Sequence, residues 1–270
     1  MNNIDLHIHT NYSDGTFTPK EIVDLAKKNN MKVLSFTDHD TIKGVKEGIE
    51  YAKKFGIKVI PGVELSTFSV MEIHILGYNF DINNTKLIET LEDFSQQREE
   101  RVLKILNELK KYNINIERNE LEASNSVGRL HVAKALLSKG YVSSIPEAFD
   151  RYLGANGIAY FPSKRITPLE GVALIKQAGG IPVIAHPLRL LQQKKLEDLV
   201  AGLKPHGLGG IETYYNTHDE ATVKTLLSIA RKNNFIATGG TDFHGANRNI
   251  ELGSVLFDLD LFTKKKLGLI

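Results

Sequence analysis

The sequence predicts an α/β barrel interrupted by a helical insertion, and three observations carry that expectation. Short β-like runs alternate with helical ones over the first ninety residues and again after about residue 157, the rhythm of βα units around a parallel sheet. Residues 84–157 break the rhythm and show helical periodicity alone. Histidines and acids gather where the predicted strands end, and the loops at strand ends are where α/β barrels build their sites.

In the first strand Ile4, Leu6 and Ile8 alternate with Asp5, His7 and His9, so both histidines share a face. Thr18, Pro19 and Glu21 supply an N-cap, a proline at the first helical position and the acid of a capping box. The helix they open presents Ile22, Val23, Leu25 and Ala26 and ends near Asn30. A second strand runs through Val33, Leu34 and Phe36 into TDHD, and a second helix spans about Thr41 to Phe55, with Gly56 to terminate it. The third strand, KVIPGVEL, is expected to end at Glu64, and EIHILGYN to form a short strand or hairpin arm with His74 out of phase with Ile73 and Ile75.

Leu87, Leu91, Phe94, Val102, Ile105 and Leu109 then recur at helical spacings, predicting a long helix over 84–112 whose stripe packs internally, being too short in heptads for a partner coiled coil. Further helices are expected over 127–139, closed by Gly140, and over 145–153, with Ser144, Pro146 and Glu147 as the start signal and Gly154 as the stop. Thr167, Pro168 and Glu170 repeat the capping box, and IPVIAHP, GGIETYY and FIATGGTDFHG read as the remaining strands. The expected organisation is a barrel from 1–83 and 158–270, closed between sequence-distant ends, with 84–157 inserted as a helical lid.

Composition narrows the class. A chain of 270 residues with 41% hydrophobic and 24% charged residues is that of a soluble globular protein, long enough to bury about three quarters of its unfolded surface. No run approaches the ~20 apolar residues needed to span a bilayer, and MNNIDLHIHT lacks the basic and apolar regions of a secretory signal, so the expected location is cytoplasmic. With no cysteine, any metal must be held by nitrogen and oxygen. A net charge of +2 with interspersed signs offers no basic face for nucleic acid, and Lys264 to Lys266 read as a solvated helix end. No obligate protein partner is evident.

His7, His9, His39, His74, His186 and His244 fall at predicted strand ends, as do the acids Asp14, Asp38, Asp40, Glu64 and Asp242. Together they offer about nine ligands, and imidazole nitrogen mixed with carboxylate oxygen suits Zn, Mn and Fe, with carboxylates able to bridge neighbouring ions. One HxH alone also occurs on ordinary surfaces. HxH, TDHD, a strand-end glutamate and histidine, AHP and TDFH in a single chain point to metal.

LHIHTNYSDG, TDHD, PGVELS, AHP and GTDFHG, in this order and at these spacings, resemble the PHP (polymerase and histidinol phosphatase) family of metal-dependent phosphoesterases over nearly the whole chain. The resemblance implies a distorted (β/α)7 barrel, an inserted helical lid, and a cluster of two or three divalent cations (Mn, Fe or Zn), trinuclear when full. By motif position His7, His9, Glu64 and Asp242 would hold one metal. Glu64 would bridge to a second held also by His74 and His186, and Asp14, His39 and His244 would hold the third. Asp14 stands where some relatives have a histidine. Asp14, Glu64 and Asp242 are the carboxylates assigned to catalysis, and Asp38 and Asp40 are expected to orient imidazoles from behind.

The inserted helices sharpen the resemblance: SVGRLHVAKAL, AYFPSK and AHP are similar to the subgroup acting on nucleoside 3′,5′-bisphosphates and short 5′-phosphorylated RNA. Arg129 and His131, near a helix start, can aim a guanidinium and an imidazole at a second phosphate, where the helix N-terminus adds partial positive charge, although both also read as ordinary helix residues. Lys164, Arg165 and Arg189 are further cations, each as readily a solvated surface residue, of which one is expected to touch phosphate. His206 and His218 read as surface or capping residues, and Tyr214 and Tyr215 as packing groups of which one can stack on a base.

The expected chemistry is hydrolysis of a small phosphorylated substrate, a nucleotide or short oligonucleotide, by water activated on the metals. Neither a cysteine nor a GxSxG motif offers a covalent route. Competing readings are a histidinol-phosphate phosphatase, a nuclease on longer polynucleotides, and a non-catalytic metal-binding regulatory module.

Overall fold

The computed structural model describes residues 3–121 and 127–270; Met1, Asn2 and Ser126, the first residue of the insertion motif, lie outside them. The chain packs as two units, Met1–Leu91 with Arg165–Ile270, and Glu92–Lys164. In chain order the strands and helices are β1 (Ile4–Ile8), α1 (Pro19–Lys28), β2 (Val33–Phe36), α2 (Lys43–Ala52), β3 (Lys58–Phe68) and β4 (Glu72–Tyr78). Then come α3 (Thr85–Lys110), α4 (Arg129–Ser138), α5 (Ile145–Ala148), α6 (Pro168–Gln177) and β5 (Ile181–Ile184). The chain finishes with α7 (Leu188–Gln192), α8 (Leu196–Leu203), β6 (Gly210–Tyr215), α9 (Glu220–Asn233), β7 (Ile236–Gly240) and α10 (Leu261–Lys266).

The capping boxes form as the sequence requires. Thr18 and Glu21 exchange bonds at the start of α1, Thr167 and Glu170 do so at α6, and Gly56 (φ 66°) stops the 3-10 turn that extends α2. Two helices without a sequence-based expectation, α8 and α9, follow β5 and β6; α9 has Asp219 as its N-cap and left-handed Asn234 as its stop.

The seven strands make one sheet in the order β1 to β7. Pairing is parallel except around β4, which runs antiparallel to both β3 and β5. Its direction follows from loop length: residues 69–71 are too few for a crossover, so β3 and β4 can only form a hairpin. For the same reason β3 does not end at Glu64. It pairs with β2 as far as Pro61, then continues to Phe68 along β4.

Sequence-distant ends nearly close the barrel. His9 N–H donates to the Phe243 carbonyl at 2.8 Å, and Asp5 of β1 accepts from Thr241 N–H at 3.0 Å, the Thr241 hydroxyl at 2.6 Å and Gly253 N–H at 3.0 Å. Gly240 allows this closeness, since a Cβ there would lie 2.5 Å from the His7 Cβ. On the helix side, Ile22, Val23 and Ala26 of α1 pack with Ile8, Leu34 and Phe36, while Val172 of α6, Val200 of α8 and Leu226 of α9 pack with Ile75, Ile184 and Ile211.

Taken alone, the Glu92–Lys164 unit has its own core, built from Val102, Ile105 and Leu109 of α3, Val132 and Leu136 of α4, and Tyr152 and Leu153. The segment expected as one helix over 145–153 is a short α-helix followed by a π-helical turn at Phe149–Leu153.

Candidate metal centre

Glu64 organises the centre. Its Oε2 lies 3.3 Å from His7 Nε2, 3.2 Å from His9 Nε2 and 3.2 Å from His39 Nδ1, and its Oε1 lies 2.8 Å from His74 Nδ1 and 3.0 Å from His186 Nε2. The imidazoles His7, His9, His39, His74 and His186 stand in a closed circuit of rings 4.6–5.8 Å apart, with His244 stacked on His9 at 4.1 Å. Strand directions explain the convergence. His7 is near the end of β1, Asp38 and His39 follow β2, His186 follows β5, and Asp242 and His244 follow β7. His74, expected at a strand end, is near the start of β4, and because β4 is antiparallel its start lies on the same rim as the other strands' ends.

Backbone strain collects here as well. Asp40 (φ 52°), His186 (φ 27°) and Asp242 (φ 55°) occupy the left-handed region that side chains other than glycine's disfavour.

Three sets of donor atoms lie within 4.8 Å of one another: His7, His9, Glu64 and Asp242; His39, Glu64 and His74; and His9, Asp14, His39 and His244. His186 belongs to none of these sets, although its Nε2 touches Glu64. Two of the donors are not spent on their neighbours. His39 Nδ1 and His244 Nε2 are buried without a hydrogen bond, although carboxylate oxygens of Glu64 and Asp14 lie 3.2 Å from them. His7 Nε2 and His9 Nε2 face one another at 3.2 Å. Nitrogen donors left unsatisfied in this way, with no thiolate present, fit divalent cations of the Zn, Mn and Fe type.

Electrostatics agree. Burial opposes charge on His7, His9 and His74, yet neighbouring carboxylates, Glu212 first for His7 and Glu64 first for His74, hold all three above the usual imidazole range, His74 at about 10. Burial pushes His39 down to about 4. Against their own burial, Asp14, Glu64 and Asp242 are held well below the carboxylate range by the imidazoles. The carboxylates thus draw positive charge into a largely buried site.

Several groups hold the donor side chains in place, and Glu212, Arg248 and Glu72 among them were passed over in the sequence. Glu212 accepts from His7 Nδ1 at 2.8 Å and from His186 N–H at 2.7 Å. An acid in a strand whose first four positions are buried needs such partners, and that was its available signal. The outer oxygen of Asp242 accepts from the Tyr215 hydroxyl at 2.7 Å and from the Arg248 guanidinium, which fixes the Tyr215 ring in place. Glu72 accepts from His74 Nε2 at 3.1 Å and Arg165 at 2.7 Å.

Asp38 and Asp40 act on backbone more than on rings. Asp38 accepts from Thr10 N–H, the Thr10 hydroxyl and the Ser13 hydroxyl, and Ser13 in turn lies 3.4 Å from His9 Nδ1. Asp40 accepts from Ser66 N–H and donates its own N–H to the Glu64 carbonyl.

The substrate candidates are dispersed. Arg189 is exposed on α7, and Arg165 is the cation paired at the centre's rim. In the helical unit, Arg129 donates to the Leu153 carbonyl at 3.2 Å and lies over the Phe149 and Tyr160 rings. His131 Nδ1 accepts from Gly128 N–H, capping α4, and Lys164 is exposed. His218 donates to the Thr213 carbonyl, Tyr214 packs flat on Phe257, and His206 ends a 3-10 turn. Among the described residues no helix is long and apolar enough to cross a membrane.

Comparison with known proteins agrees with this geometry. The PHP domain model matches residues 5–153. A 5'-3' exoribonuclease of Haemophilus influenzae is 35% identical over 93% of this chain and 93% of its own length. A 3',5'-nucleoside bisphosphate phosphatase of Chromobacterium violaceum is 30% identical over 90% of this chain and 88% of its own. A solved structure from Bifidobacterium adolescentis, assigned as a metal-dependent phosphoesterase, superposes with a TM-score of 0.83 at 28% identity, over 99% of this chain and 96% of that one. With the family model covering more than half of the sequence and a relative aligned along nearly all of it, this chain belongs to the PHP domain family.

Proposed function

We propose that this chain, a hydrolase of phosphate esters, acts on phosphomonoesters of small nucleotides, nucleoside 3′,5′-bisphosphates first and short 5′-phosphorylated RNA second. The observation that carries the proposal is the double use of Glu64, with three imidazoles on one oxygen and two on the other, an arrangement suited to bridging cations. His7, His9, His39, His74, His186 and His244, with Asp14, Glu64 and Asp242, are the proposed ligands. The cations would supply an activated water and charge neutralisation at the attacking and leaving oxygens.

The chain's own contribution is positioning. Glu212 fixes His7 through Nδ1 and leaves Nε2 directed at the centre; the Asp242 carbonyl does the same for His244. Tyr215 and Arg248 occupy one oxygen of Asp242 and leave the other facing His7 and His9. Such outer partners set ring orientation and ligand basicity. Two relatives named for a 5'-3' exoribonuclease and a 3',5'-nucleoside bisphosphate phosphatase support the nucleotide class. Arg129 and His131 remain the residues proposed to select a second phosphate, with Lys164 and Arg189 as further phosphate contacts.

The test is phosphate release by Mn-loaded protein from adenosine 3′,5′-bisphosphate, adenosine 5′-monophosphate, histidinol phosphate and a short 5′-phosphorylated RNA. Preference for the bisphosphate is expected. Preference for histidinol phosphate would overturn the substrate, and full metal loading without turnover of any ester would favour a regulatory module.

A further inference from the structure

Beside Tyr215 the barrel unit opens a cavity of about 300 Å³, at the lower end of the size of small-molecule sites. Two aromatic rings in its wall are held in place: Tyr214 lies against Phe257 with centroids 5.1 Å apart and planes 11° apart, and Tyr215 is tethered through its hydroxyl to Asp242. Polar atoms share the wall. Asn216 donates one amide N–H to the Thr241 carbonyl at 2.8 Å, which leaves its second N–H as a donor and its side-chain oxygen as an acceptor. His218 donates from Nδ1 to the Thr213 carbonyl at 2.8 Å, so its Nε2 is an acceptor, buried and without a hydrogen bond. Ser254 and the exposed Leu256 border the same space.

We propose that this cavity seats the base of the nucleotide whose phosphate lies at the metal centre. The inference rests on the nucleotide reading above and adds where the rest of the substrate goes. Fixed aromatic walls favour a flat ring, because stacking on a pre-set platform orders little on binding. Acceptors in the wall favour a ring carrying N–H donors, and a lone acceptor left buried costs about as much as a lost hydrogen bond. Tyr215 borders both places, with its centroid 5.5 Å from His186 of the centre and 5.4 Å from His218 of the cavity. The two places therefore lie about one aromatic ring apart, a separation that the sugar joining a base to its phosphate can span. A bare sugar phosphate has no flat ring to place at that distance.

The metal-loaded enzyme tests this with adenosine 5′-monophosphate and ribose 5-phosphate, which differ by the base alone. Wild type should favour the nucleotide in kcat/KM by about tenfold or more, the worth of one stacked base. Ser254→Trp, which fills the cavity, should bring that ratio toward one while metal content stays at the wild-type level. The chain has no tryptophan, so Leu256→Trp creates a single emitter at the cavity's edge, and its emission should respond to adenosine and not to ribose. A wild-type ratio near one, a ratio that survives Ser254→Trp, or an emission blind to adenosine would each overturn the proposal. Hydrolysis of neither ester, nor of adenosine 3′,5′-bisphosphate, would count against the nucleotide reading instead, and the adenosine titration would still report on the cavity.

Discussion

Within the centre, residues fall into those that face it and those that hold the facing ones. His7→Ala and Asp242→Ala each remove a donor shared by several contacts, and turnover should fall by on the order of 10³-fold or more, with metal content by mass spectrometry falling as well. Glu212→Gln keeps the shape but loses the charge behind His7, and metal affinity should weaken roughly 10–100-fold in a competition titration with a chelator. Arg129→Ala should depress kcat/KM for bisphosphates more than for monophosphates; equal loss on both would remove Arg129 from phosphate selection. The proposed ligands were legible because histidines and acids recur at strand boundaries in recognisable strings. Glu212, Tyr215 and Arg248 were not, because their roles depend on a third residue that only the fold brings near. Glu212 touches His7 from 205 positions away.

Helix starts were predicted well where a full capping box was written into the sequence, whereas α9, capped by Asp219 alone, was missed. Thr18 and Thr167 mark starts that the structure reproduces, while α2, which has no side-chain cap, begins two residues later than its periodicity suggests. Strand limits were harder, since an apolar run says nothing about its partner: β3 outlasts Glu64 only because β4 folds back on it. Two substitutions separate local from global effects. Thr18→Ala should cost about 1 kcal/mol of stability by denaturant unfolding and leave catalysis intact. Gly240→Ala forces a methyl against His7, and the expected result is lost metal binding together with lowered stability, since β7 must move away from β1.

Across the whole protein, the proposed centre would exchange protons for metal. His74 sits at about 10 in the folded chain, above its ordinary 6.5, so the stability it contributes without metal is complete below about 6.5 and is lost as pH rises toward 10. Chelator-treated protein should therefore melt at progressively lower temperature from pH 7 to 10. Metal-loaded protein should hold its melting temperature over that range, and metal affinity should strengthen with pH as the imidazoles shed protons. A melting curve for the chelated protein that is flat with pH would count against this coupling.

The seam between β1 and β7 bears on how the protein is made. Asp5 waits for Thr241, 236 positions downstream, and His7 and His9 wait as long for Asp242. During synthesis the first histidines emerge with no acid from β7 to share an ion with, so a ribosome-bound fragment cannot assemble the His7, His9, Glu64 and Asp242 set at all. Capture of an ion by this set would in this sense be a late event in the chain's life: it waits for β7, whatever the His39, Glu64 and His74 set has already gathered.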